Sequence, residues 1–170
     1  MGDSIVCWAQ RPLATSLPVL WLGKSGARLK DLCPLLSSVP HNTPPPQVII
    51  VHTGTNDLVT LDVFSIRQST AIFMSEVHAH FPDAQLVWSE ILPQVFYFGA
   101  HSQKSMEQQR RKINRWVRTC ASRVGCHVLK HPQVVWSDFS LYRFDGVHLS
   151  VAGNVAFCDN LSACIEGIVT

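Results

Sequence analysis

The sequence predicts a three-layer α/β/α fold, a parallel sheet with helices on both faces, in a single domain spanning residues 1–170. Two observations carry that expectation. Short β-branched runs alternate with apolar-periodic segments of ten or more residues, the pattern of strands joined by crossover helices. One of those runs, Val-Ile-Ile-Val at 48–51, is apolar without alternation, as a strand covered on both faces should be. The 170 residues, 46% of them apolar, suffice for one core.

Each element has a local reason. A helix is expected over 5–14, with Pro12 and Pro18 leaving its end open. Residues 18–23, Pro-Val-Leu-Trp-Leu-Gly, read as a short buried strand closed by glycine. Leu29, Leu32, Cys33 and Leu36 give 27–39 a helical period, with Pro34 a site for a bend. Three consecutive prolines place 41–46 in a loop. The strand at 47–53 follows, then a helix over 61–81 ended by Pro82 and a strand over 84–91. An aromatic loop fills 93–101. Ile113, Trp116, Val117, Cys120, Ala121 and Val124 recur at helical spacing, so 102–124 is the clearest helix. Gly125 stops it, 127–130 forms a last strand, and 151–169 closes the chain as a helix capped by Ser150.

Composition excludes more than it assigns. A formal net charge of +2 with 15% charged residues fits neither an acidic disordered chain nor a strongly basic surface. No segment reaches the roughly 18 apolar residues of a membrane span, and the start has no signal-like run. A cytoplasmic, unsecreted protein is expected. The six cysteines read as buried thiols of a reducing compartment. Cys120, Cys126, His127 and His131 lie near one another, but their spacing matches no paired zinc pattern, so no metal is expected.

Four short motifs carry chemistry. Gly2-Asp3-Ser4 offers a serine at the start of a helix. Gly-Lys-Ser-Gly occupies 23–26, Gly-Thr-Asn-Asp 54–57 and Asp-Gly-Val-His 145–148. A serine hydroxyl becomes a nucleophile only beside a base, and a tetrahedral intermediate needs donors for its oxygen. His148 can be that base, with Asp145 three residues earlier to orient the ring. In an open α/β sheet such groups collect at the carboxyl ends of the strands, where these motifs are expected to fall. Each motif alone also reads as a turn or helix cap.

In this order the motifs resemble those of the SGNH hydrolases, the GDSL type, from end to end of the chain. That resemblance implies a parallel, flavodoxin-like sheet and a serine esterase of small acyl, including acetyl, esters, acting through an acyl-enzyme without metal or organic cofactor. It assigns nucleophile, base and orienting acid to Ser4, His148 and Asp145. The oxyanion donors would be the backbone N–H groups of Ser4 and Gly26 and the Asn56 amide, with Gly23 as the fallback for Gly26. Asp3 and Asp57 are read either as acceptors that fix loops or as solvated turn carboxylates. Phe96 and Phe98 are candidates for lining the substrate pocket. The segments at 87–93, 110–115 and 144–150 are similar to SGNH domains of vertebrate retrotransposons.

The departure is at the amino end. In the family a central strand precedes the nucleophile, yet only three residues precede Ser4 here. The first strand is therefore expected to be truncated, whether the chain starts at a downstream methionine of a longer reading frame or the other strands close the gap. Either way Ser4 is expected on a fraying terminus. The rival reading is a catalytically inactive, transposon-derived domain. It would bind nucleic acid or lipid weakly through Lys104, Arg111, Arg115 and Arg118, on a helix face that also carries Arg110 and Lys112.

Overall fold

The computed structural model describes residues 1–9, 17–40 and 42–169. Three strands, β1 (Val48–His52), β2 (Gln85–Ser89) and β3 (Cys126–Leu129), form an all-parallel sheet in the order β1-β2-β3. Among the described residues, six α-helices flank it: α1 (Ser4–Ala9), α2 (Leu32–Ser37), α3 (Thr55–Leu58), α4 (Val63–His80), α5 (Gln103–Ala121) and α6 (Val151–Val169).

Alternate strand residues feed two cores. Ile49, Val51, Leu86, Trp88 and Cys126 pack with Leu32, Phe73, Val77, Ile113 and Val117 beneath α2, α4 and α5. Ile50 and Leu129 turn the other way, against Ile5, Ala9, Phe157 and Leu161 of α1 and α6. Period-two alternation thus delivers apolar side chains to both faces, which makes three layers. Each fully buried Leu, Ile or Phe contributes about 1.5–3 kcal/mol.

The helix ends follow local chemistry. Asp62 accepts from the Ser65 N–H at 2.7 Å to start α4, Ser102 from the Ser105 N–H at 3.2 Å to start α5, and Ser150 from the Gly153 N–H at 3.2 Å to start α6. After α5 a 3₁₀ turn, Ser122–Val124, ends at Gly125 in the left-handed region, φ 63°.

Two element expectations are corrected. Residues 18–23 form no strand, and Val19 and Leu20 are exposed. Their inner neighbour offers only Gly2, which makes isolated parallel bridges to Gly23 on one side and His52 on the other. A ladder needs a partner of equal length, and pairing stops after Leu22 O accepts from the Gly2 N–H and the Lys24 N–H donates to Gly2 O. The expected helix over 27–39 is a 3₁₀ turn, Leu29–Asp31, running into the short α2. Pro34 sits in its first turn, where a missing N–H costs nothing, and makes no bend there. The helix behind Ser4 is described only to Ala9; the rest of the 5–14 expectation lies outside the described residues.

The lead into Ser4 is not frayed. Met1 and Gly2 occupy the position of the central strand, with the Met1 nitrogen on Ile50 O at 2.6 Å, the His52 N–H on Met1 O at 3.0 Å and the Asp3 N–H on His52 O at 3.2 Å. Gly2 is required there, since a Cβ would collide with the His52 carbonyl oxygen. The cysteines also differ from expectation. Cys126 and Cys158 are buried, but Cys7 is exposed and Cys33, Cys120 and Cys164 are half-buried, all six as free thiols.

Candidate active site

The carboxyl ends of the strands carry the site. Ser4 is the first residue of α1, two positions after Gly2, whose bridge to His52 ends beside β1. Its position is set by Asp3, whose Oδ1 accepts the Ile5 N–H at 3.0 Å while its carbonyl accepts the Cys7 N–H. Asp3 is 1% exposed, so desolvation pushes its carboxyl up to about 7, against the Ile5 N–H and the nearby His148.

His148 arrives on a loop that folds on itself. Asp145 Oδ1 accepts the N–H groups of Val147 and His148, both at 2.9 Å, and the Arg143 N–H closes on His148 O at 2.8 Å. Gly146 takes the left-handed conformation, φ 68°, and its carbonyl accepts from Val95 and Phe96 N–H groups. Tyr142 Oη donates to Pro93 O at 2.9 Å, so three hydrogen bonds join the two loops. In that frame Asp145 Oδ2 lies 2.8 Å from His148 Nδ1, and His148 Nε2 lies 3.2 Å from Ser4 Oγ. Burial raises the Asp145 carboxyl, but the bonds from the His148 ring and the two backbone N–H groups outweigh it and hold it below the usual carboxylate range. An ionised Asp145 only accepts, which puts the ring proton on Nδ1 and leaves Nε2 as acceptor for the serine O–H.

Asn56 and Asp57 stand in the single turn of α3, which leaves β1 through Gly54 at φ 109°. Asn56 Nδ2 donates to Ala27 O at 2.9 Å, and Asp57 Oδ2 accepts the Leu29 N–H at 3.1 Å. Both therefore tie α3 to the loop holding Gly26. Asp57 is buried, and desolvation pushes its carboxyl up to about 6. Of the two readings for Asp3 and Asp57, the loop-fixing acceptors fit and the solvated carboxylates do not. Gly26 is exposed at φ 71° with open space around its Cα. Gly23, the fallback, is committed to the Gly2 bridge and packs against Cys7.

The remaining candidates lie on the loop between β2 and α5 and on α5 itself. Phe96 and Phe98 are exposed and pack edge to face at 4.9 Å, while Tyr97 between them is buried. The basic face of α5 is not uniformly solvated. Arg110 and Arg111 pair with Glu107 at 2.7 Å, and Arg118 with Glu90 at 2.8 Å. Lys104, Lys112 and Arg115 are exposed. Among the described residues no helix is long and apolar enough to cross a membrane.

Two arrangements escaped the sequence reading. Asn114 grips Ile91 at both backbone atoms, accepting its N–H at 3.1 Å and donating to its O at 3.0 Å, and so fixes the exit of β2 into the Pro93 loop. An asparagine beside Ile113 on a buried stripe was the available signal. Ser89 Oγ bridges His52 Nδ1 at 2.9 Å and His131 Nε2 at 2.7 Å, against the ring of Phe157. Nothing in the spacing of 52, 89 and 131 announces that trio.

Residues 1–156 match the sequence model of the GDSL-like lipase/acylhydrolase family. The chain belongs to that family. Among curated proteins none matches it. Solved structures share its fold. A Streptococcus pneumonia protein described as a candidate platelet activating factor superposes with TM-score 0.79 at 20% identity, covering 96% of this chain and 81% of that one. The lipase/acylhydrolase from Enterococcus faecalis gives TM-score 0.71 at 15% identity over 98% of this chain and 93% of its own. A carbohydrate esterase family 3 protein from Talaromyces cellulolyticus gives 0.65 at 21%, over 86% and 70%. These similarities establish an SGNH-like α/β fold.

Proposed function

We propose that the chain is a serine esterase that hydrolyses small acyl esters through an acyl-enzyme on Ser4. The observation that carries this reading is the unbroken hydrogen-bond path from Asp145 through His148 to the Ser4 hydroxyl. Ser4 Oγ attacks the ester carbonyl as its proton passes to His148 Nε2. The imidazolium, stabilised by Asp145, then returns that proton to the leaving alcohol. Water, deprotonated by the same nitrogen, attacks the acyl-serine; the acid leaves and the serine regains its proton.

The developing oxyanion needs donors. Ser4 opens α1, where the first N–H groups have no intrahelical partner. An amide nitrogen carries two hydrogens, so the Asn56 side chain can keep Ala27 O and still present an N–H to substrate. Gly26 is the third candidate, an exposed residue of the same loop as Ala27. Ser4, Asn56 and His148 are each half-buried, within reach of a substrate but anchored by their neighbours.

The experiment is labelling by a fluorophosphonate, which reacts only with an activated serine, together with hydrolysis of p-nitrophenyl acetate. Label on Ser4, lost with hydrolysis in Ser4→Ala, is the expected result. A folded chain that neither labels nor hydrolyses overturns the reading and returns the protein to the class of binding domains.

A further inference from the structure

Large apolar side chains border the loop that carries Asp145 and His148. Phe144, immediately before Asp145, is fully exposed, and Val151, three residues after His148, is 83% exposed. Phe96 and Phe98 are held to the same loop, because the Val95 and Phe96 N–H groups donate to Gly146 O at 2.9 and 3.2 Å. On the other side Trp8, one turn past Ser4, is half-exposed under the Arg143 guanidinium, 4.1 Å from its ring centre. Contacts and chain neighbours thus connect Trp8, Arg143, Phe144, Gly146, Phe96 and Phe98.

Single exposed apolar residues are ordinary, but a connected patch is a binding surface. Its place and chemistry name the occupant. A protein partner or a second copy seated here would cover the half-buried Ser4, whereas a lipid surface would bring substrate to it. Tryptophan and phenylalanine suit the boundary between headgroups and acyl chains. Arg143 adds a positive charge at the same rim, complementary to lipid phosphate.

We propose that this rim docks on a phospholipid–water interface, with Trp8, Phe98 and Phe144 entering the acyl boundary and Arg143 at phosphate level. On the esterase reading above, the esters met by Ser4 are then presented by that surface.

The test is co-sedimentation of the full chain with vesicles of phosphatidylcholine and phosphatidylglycerol, run beside hydrolysis of soluble p-nitrophenyl acetate. The wild-type chain pellets with the vesicles. Phe144→Ser combined with Val151→Ser, two exposed positions outside the reacting groups, lowers partition by about tenfold or more while soluble-ester hydrolysis and the circular dichroism spectrum stay unchanged. Wild-type protein left in the supernatant overturns the docking surface, as does a double variant that pellets equally well. A dimer that the double variant dissolves, without vesicle binding, assigns the patch to a second copy and also overturns it. Vesicle binding without hydrolysis or labelling removes the esterase reading alone; hydrolysis without vesicle binding removes the docking surface alone.

Discussion

Ser4 and His148 are 144 residues apart in the chain, and their Oγ and Nε2 atoms meet at 3.2 Å. Neither side chain could be held there by its own segment. Ser4 is fixed by the pairing of Met1 and Gly2 between β1 and the 22–24 segment, and His148 by the Asp145 turn leaned on the Pro93 loop.

Asp145→Asn tests the orienting role without removing the turn. An asparagine oxygen can still accept the Val147 and His148 N–H groups, but its amide can no longer hold the imidazole proton on Nδ1. Turnover of a nitrophenyl ester should fall about 10³- to 10⁴-fold while the thermal midpoint stays close to wild type. A fall of only a few-fold, measured at substrate saturation, would show that Asp145 serves the loop alone.

Asn56→Ala removes a side-chain amide and its bond to Ala27 O. As an oxyanion donor its loss costs about 10²- to 10³-fold in kcat, with KM little changed. Steady-state kinetics decide this, because a residue that merely ties α3 to the 27–29 loop would show reduced stability and nearly intact turnover.

Gly2→Ala places a methyl group against the His52 carbonyl and the Val6 side chain. Overpacking of this kind costs about 1–3 kcal/mol or more. Urea denaturation of the variant should show a lowered midpoint, and activity should fall further than stability because the shift propagates to Ser4 two residues on.

Two buried groups give stability opposite dependences on pH. Asp3 has its carboxyl raised from 3.8 to about 7, chiefly by desolvation, so the folded state holds a proton that the unfolded state has released. Its contribution is full below pH 3.8 and is lost as pH rises through about 7. His131 is lowered from 6.5 to about 4 by burial, so its contribution is full above pH 6.5 and is lost as pH falls through about 4. In the wild type the two slopes oppose each other. Urea midpoints measured from acid to neutral pH should therefore rise more steeply with pH than wild type in Asp3→Asn, and less steeply than wild type in His131→Phe. Parallel curves for all three proteins would contradict these assignments.

Phe157→Ala should be among the costliest core changes, about 3–5 kcal/mol. Phe157 is fully buried and supports both imidazoles, with ring centres 5.0 Å from His52 and 4.6 Å from His131. Calorimetry of the variant measures the loss directly. A cost under about 1 kcal/mol would mean that the space refills.

What could be read from the chain was what local chemistry fixes. β1 was legible because Val48 to Val51 admit no exposed face, α5 because its apolar residues keep one period, and α6 because Ser150 marks its start. The motifs at 2–4, 54–57 and 145–148 were legible as groups able to do chemistry, and their order pointed to the family. Residues 18–23 misled, since an apolar run becomes a strand only beside a partner long enough to pair with it. Tertiary structure alone decided that Met1 and Gly2 fill the central position. It also buried Asp3 and Asp57, set Asn114 on the Ile91 backbone and joined His52, Ser89 and His131 through one hydroxyl. The physical reason is range. Propensity, capping and periodicity act over a few residues, whereas desolvation and strand pairing depend on what the rest of the chain brings alongside.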